Sequence, residues 1–277
     1  MRTKFLLVVI LCATVIMTGC LSESNAGEIK IGMIKYLNAS EENMNELMKK
    51  IEQKNGQSLS SYSTVYYDNL SSMQLALSSG QIEQMSTYRC VANYTTGKNT
   101  DFVMVPTAAK LSDSFCCAFR QEDSHLKNEF DTAIKSMQED GMLINLTKMY
   151  ISDLAIGEEP QVVEIKKIDG AETIKVAVTG DLPPLDLIKS NGSPAGFNTA
   201  VLAEISKRSG KNIELVSIDS GARASALISG TVDVLFWARV PDKNSDMPSD
   251  LDIPSGIIFA LPYFSDRIVH LGRAVEK

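Results

Sequence analysis

The chain has 277 residues, 44% of them hydrophobic, and a formal net charge of −7. That length supports a large core and lies near the size at which one core divides into two. The acidic balance argues against nucleic acid as a partner, because its binders present basic patches.

The N-terminus is tripartite: Arg2 and Lys4, then the uncharged apolar run Phe5 to Met17, then Thr18, Gly19 and Cys20. This is the pattern of a secretory signal, and the run is too short to span a bilayer, which takes about 20 residues. Met17-Thr18-Gly19-Cys20 resembles a bacterial lipobox, which implies acylation of Cys20 and membrane attachment through a lipid anchor. The Ser- and Asn-rich stretch Leu21 to Gly27 then reads as a tether. Beyond the signal, Cys90, Cys116 and Cys117 remain. Their odd number gives no obvious disulfide framework. Cys116 and Cys117 lie in a strand-like run and are expected as buried small hydrophobes on opposite faces, with a bridge from Cys90 to one of them as the alternative. The only histidines, His125 and His270, lack ligand spacing, so neither a metal nor a cofactor is expected.

In chain order, a strand is predicted at Ile29 to Ile34, a helix from Ser40 (its candidate cap) to about Lys54, and a strand at Ser63 to Tyr67. Ala76-Leu-Ser-Ser-Gly-Gln-Ile-Glu83 then ends a helix at Gly80 and opens a strand. Phe115 to Phe119 reads as a strand. Leu126, Phe130, Ile134 and Met137 form the stripe of a helix ending at Gly141, and a further helix covers Leu143 to Ile151. Gly157 to Gly170 is a polar linker. The order then repeats: a strand at Ile174 to Thr179, a helix at Phe197 to Ser209, a strand at Ile213 to Ile218, and Ala226-Leu-Ile-Ser-Gly-Thr-Val-Asp233. This last run echoes residues 76–83 at a separation of 150. Val232 to Phe236 and Arg267 to Gly272 complete the strands. Alternating strands and helices imply mainly parallel sheets flanked by helices, hence an α/β class with two βαβαβ halves.

The second half resembles the first lobe of bacterial extracellular solute-binding proteins of family 3, the polar amino-acid type. The residues that carry the resemblance are Val176-Ala-Val-Thr-Gly-Asp-Leu-Pro-Pro-Leu-Asp186, Pro194-Ala-Gly-Phe-Asn198, Ala226 to Val234, and Leu261-Pro-Tyr-Phe-Ser265. The first half resembles that family's second lobe and C-terminal region through Ala118 to Asp123, Leu126 and Met137 to Gly141. The halves stand in swapped order, as in a circular permutant. The resemblance implies a two-lobed periplasmic-binding-protein-like (type II) fold with a ligand cleft between the lobes. It divides the chain into a signal peptide (1–19), lipidated Cys and tether (20–27), lobe A (28–107, with a returning strand 267–272), the helical part of lobe B (108–156), a linker (157–172) and the sheet part of lobe B (173–266).

Ligands of such sheets lie beyond the carboxyl ends of the strands. In lobe B this selects Thr179, Asp181, Leu182 and Pro183, then Ser220 and Arg223, then Trp237 and Arg239. In lobe A it selects Tyr36, Asn38, Thr87 and Tyr88. Each has a plainer reading. Pro183-Pro184 fixes a turn, Asp219 or Ser220 caps the helix near Ala222, Trp237 is core, and Arg223 is a solvated surface base. Relatives in the family hold a ligand carboxylate with Arg in a Thr-Pro-x-Arg stretch; here Trp237-Ala-Arg-Val-Pro241 stands in its place. They hold the ammonium with an acid, where this chain has Tyr88. The resemblance implies a monomeric binding lipoprotein outside the cytoplasm that passes a small polar solute, amino-acid-like or carboxylate, to an ABC-type permease. An enzyme on the same scaffold, such as an extracytoplasmic dehydratase, and a ligand sensor are the alternatives. No Ser-His-Asp, Cys-His or metal pattern supports catalysis.

Overall fold

A computed structural model describes residues 29–35, 37, 62–106, 111–241 and 254–274. The signal region, Cys20, Tyr36, Asn38 and the Ser40 to Lys54 helix lie outside them. None of the helices in the described residues is long and apolar enough to cross a membrane.

The first half contains β1 (Ile29–Ile34), β2 (Tyr62–Tyr67), α1 (Leu70–Ser79), β3 (Gln84–Tyr88), α2 (Arg89–Lys98) and β4 (Phe102–Val105). Next come β5 (Ser112–Arg120), α3 (Ser124–Glu139) and α4 (Met142–Thr147). The second half contains β6 (Thr173–Val178), three short strands, β7 (Asp181–Leu182), β8 (Asp186–Ile188) and β9 (Pro194–Ala195), then α5 (Phe197–Ser209) and β10 (Asn212–Ser217). It closes with α6 (Arg223–Ile228), β11 (Val234–Pro241), β12 (Ile257–Phe259) and β13 (Phe264–Arg273). The helix expected over Leu143 to Ile151 is α4 followed by a π-helical turn at Lys148–Ser152.

The strands build two equivalent units. In lobe A, β2, β1 and β3 run parallel, and β13 lies antiparallel between β3 and β4. In lobe B, β10, β6 and β11 run parallel, and β5 lies antiparallel between β11 and β12. The antiparallel strand of each lobe follows the last strand of the other in the chain. β5 and β13 also pair with each other, Phe264 opposite Phe115 and Asp266 opposite Asp113, which joins both lobes into one sheet.

The repeated sequence has a repeated geometry. Gly80 (φ 77°) and Gly230 (φ 73°) end α1 and the α6 segment in the left-handed conformation. After them Gln81 N–H bonds Ala76 O, and Thr231 N–H bonds Ala226 O. Glu83 and Asp233, which close the two repeats, each accept a backbone N–H from the neighbouring strand, Lys30 at 2.7 Å and Lys175 at 2.9 Å. One arginine clamps each turn: Arg273 donates to Leu77 O and Ile82 O, and Arg120 donates to Leu227 O and Val232 O.

Strand alternation sorts β5 between two packing clusters. Phe115, Cys117 and Phe119 join one, with Phe130, Ile134 and Met137 of α3, while Cys116 and Ala118 join the other. Cys90, Cys116 and Cys117, the cysteines among the described residues, are buried and free, so the bridge from Cys90 to Cys116 or Cys117 does not form.

Candidate functional site

Two loops of lobe B converge on the start of α1 in lobe A. After β6, Asp181 reaches across, and Ser71 N–H donates to its Oδ2 at 3.2 Å. No acidic residue stands in the first turn of α1, so the exposed N–H groups there favour an anion from elsewhere. Burial pushes the Asp181 carboxyl up, and the backbone hydrogen bonds from Ser71 and Leu70 oppose that shift. After β10, Ser220 N–H donates to Asp68 O at 3.0 Å. Gly221 is tight against the same residue: a Cβ there would lie 2.5 Å from Asp68 Oδ1. Lys35, just past β1, pairs with Asp68 at 3.0 Å.

Behind this contact lies a buried aromatic and ionic centre. β11 continues through Trp237 to Pro241, paired with β5, so Trp237 lies inside the strand and not beyond its end. A bulge between Phe236 and Ala238 breaks the alternation there, and both Phe236 and Trp237 face the same cluster. The indole meets Tyr88 and Phe115 edge-on, with ring centroids 5.9 and 5.6 Å away.

Arg223 is 2% exposed, which overturns its reading as a solvated surface base. Its Nη1 donates to Trp237 O at 2.8 Å, and its guanidinium lies 4.9 Å from the indole ring. Its charge also acts on Asp186, whose carboxyl burial pushes up; N–H groups of Gly180 and Thr179 and the Thr179 hydroxyl oppose the shift. Thr179 thus serves Asp186, with N–H and Oγ1 at 2.9 and 3.0 Å. Arg239, 4% exposed, forms a 2.6 Å ion pair with Asp113 Oδ2, and Tyr88 OH donates to the same oxygen at 3.1 Å.

The remaining candidates divide clearly. Leu182 is core. Pro183 opens a cis Pro183–Pro184 bond. Thr87 lies in β3 opposite Val269. Neither Asp219 nor Ser220 caps the helix near Ala222 with its side chain. Tyr36 and Asn38 lie outside the described residues. Sequence reasoning missed Asp113, which sits 126 residues from Arg239 and carries no local motif. Three buried polar atoms, Asp113 Oδ1 and Trp237 Nε1 of this centre and Ser220 Oγ of the interlobe contact, find no partner among the described residues. Buried polar groups are otherwise almost always hydrogen-bonded. The described residues hold no cluster of three metal-ligating side chains.

Lobe B, from β6 to the end of β11, also has a sequence relationship. Residues 174–242 match the bacterial extracellular solute-binding proteins, family 3. The match spans about a quarter of the chain and covers Thr179, Asp181, Ser220, Arg223, Trp237 and Arg239. No curated protein matches the chain in sequence. Similar solved structures include the alkanesulfonate-binding protein SsuA from Xanthomonas axonopodis pv. citri bound to MOPS, with TM-score 0.39 and 9% identity over 88% of this chain and 65% of that one. A nutrient-binding protein from Burkholderia cenocepacia bound to methionine has TM-score 0.38 and 13% identity over 88% and 84%. The Synechocystis PCC6803 CcmR regulatory domain in complex with 2-PG has TM-score 0.39 and 9% identity over 91% and 89%. The chain spans a little under two thirds of SsuA's length.

Proposed function

We propose that the chain is an extracytoplasmic solute-binding lipoprotein, anchored through Cys20, that closes two lobes over a small polar solute and delivers it to an ABC-type permease. The family match of residues 174–242 carries this reading, because it falls on the lobe whose strand ends face lobe A. The swapped order of the halves, with lobe A resembling the family's second lobe, is part of the proposal.

The contacts proposed for the solute are Ser220 Oγ, Trp237 Nε1 and Asp113 Oδ1, the buried groups without a partner here. Thr179, Asp181, Leu182, Pro183, Arg223, Thr87 and Tyr88 frame them. Arg239 acts through Asp113, orienting that carboxylate by their 2.6 Å contact. Two donors and a carboxylate suit a solute that presents both an acceptor and a donor or cation. Binding proceeds by hinge closure, which a solute touching both lobes favours, and no turnover is expected.

Isothermal titration against amino acids, carboxylates and small peptides tests the reading. Saturable binding of one solute per chain, with the solute recovered unchanged, supports it; product formation points to an enzyme instead. Mass spectrometry of the mature N-terminus tests the anchor. Acylated Cys20 is expected, and a free terminus beyond Cys20 contradicts it.

A further inference from the structure

Residues 153–163, the end of the helical part of lobe B and the start of the polar linker, are anchored to lobe B at both ends. Asp153 N–H bonds Lys148 O beside α4, and Val163 N–H bonds Pro194 O in β9, with Val162 bridged to Ala195. Between these anchors the chain crosses to lobe A. Gly157, in the left-handed conformation at φ 75°, lies against the last turn of α2. A Cβ on Gly97 would stand 2.3 Å from Gly157 N, and one on Gly157 would stand 2.6 Å from Gly97 O. The two backbones touch because neither position has a side chain. Beside that contact, Glu159 Oε1 accepts from Lys98 Nζ at 2.7 Å and from Tyr94 OH at 3.0 Å. Ala155 and Glu158 close the loop on itself through Glu158 N–H to Ala155 O and Ala155 N–H to Glu158 Oε2. A cavity of about 320 Å³ lies behind the loop, lined by Arg89, Cys90, Tyr94, Ile151, Pro184 and Asp266 of the crossing strand β13.

We propose that residues 153–160 are an interlobe strap, which grips α2 through the Gly97–Gly157 contact and the Glu159 hydrogen bonds and so restrains separation of the lobes. The strap is covalently part of lobe B and noncovalently bound to lobe A, so separation of the lobes must break its contact with α2. It acts whether or not a solute is present, and its test does not depend on the solute-binding reading.

Hydrogen exchange on the full chain without added solute measures it, with the Ser71 and Ser220 amides as reporters of cleft opening. Both bond across the lobes, and neither touches the strap's own hydrogen bonds. Gly97→Ala drives a methyl into the strap while favouring α2 itself, because Ala is the better helix residue. The expected result is exchange at Ser71 and Ser220 faster by about tenfold or more, with Val176 in β6 unchanged, as local opening below the global limit requires. Glu159→Ala loosens the strap from its own side and is expected to act in the same direction with a smaller change. It decides the matter if Gly97→Ala fails to fold. Faster exchange confined to 153–163, with Ser71 and Ser220 at wild-type rates in the folded variants, overturns the proposal. So does unchanged exchange throughout.

Discussion

Asp113 and Arg239 are each almost fully removed from water, and their 2.6 Å contact makes each the other's charge partner. Arg239→Ala leaves a buried carboxylate without its cation, and breaking a buried pair in this way typically costs about 3–5 kcal/mol. Urea denaturation is expected to show a loss of that size, with the Asp113→Asn, Arg239→Met double variant recovering much of it. A loss below about 1 kcal/mol would place the pair among the weak, solvent-screened ones. His270 provides a second test at this scale. Burial lowers its pKa to about 4 from 6.5, so the folded state disfavours the proton. Its contribution is present above pH 6.5 and is lost as pH falls through that window toward 4. The upper bound is about 3 kcal/mol at 1.36 kcal/mol per unit. Asp181 and Asp186, pushed up by burial, run the other way, so the readout is a difference between proteins. The stability of wild type minus His270→Gln is expected to fall from pH 7 to pH 4; a flat difference contradicts it.

The left-handed turns after α1 and α6 are the strongest points of agreement between sequence and fold. Nothing lies within 4 Å of a Cβ on Gly230, so Gly230→Ala costs only backbone strain. A loss of about 1 kcal/mol or more is expected for it, and a similar loss for Gly80→Ala, where the nearest atom is the Arg273 guanidinium at 3.4 Å. Thermal denaturation reads both, and unchanged stability would show that the turns relax. β1 and α5 were legible to the residue, because their apolar periodicity and their glycine and polar boundaries are local signals. β11 was not. Its extension past Phe236 depends on pairing with β5, which lies over a hundred residues earlier, and the bulge that turns Trp237 inward leaves no mark in composition. Arg223 misled for the same reason: a base in a first helical turn looks solvated until the Trp237 carbonyl and ring are brought to it. The linker was legible as polar and irregular, while its grip on α2 arises from two glycines 60 residues apart, meaningful only once they touch.

At the scale of the molecule, two equivalent lobes share a sheet through β5 and β13 and meet again at Asp181, Ser220 and the strap. Hinged closure requires the interlobe contacts to be individually small, so that a solute of modest differential affinity shifts the balance. Asp181→Ala removes the carboxylate from the α1 N-terminus and is expected to favour the open form, with a larger radius of gyration in small-angle scattering; an unchanged radius would show that this contact does not hold the lobes. The central claim is that solute enters between these lobes and reaches Trp237, the only tryptophan in the chain. Its most direct test is a titration by calorimetry and tryptophan emission together, using amino acids, carboxylates and small peptides. The account predicts that a compound which binds saturably also changes the Trp237 emission with the same midpoint, and that Ser220→Ala weakens both signals together. Saturable binding that leaves the emission unchanged and is indifferent to Ser220→Ala would contradict it.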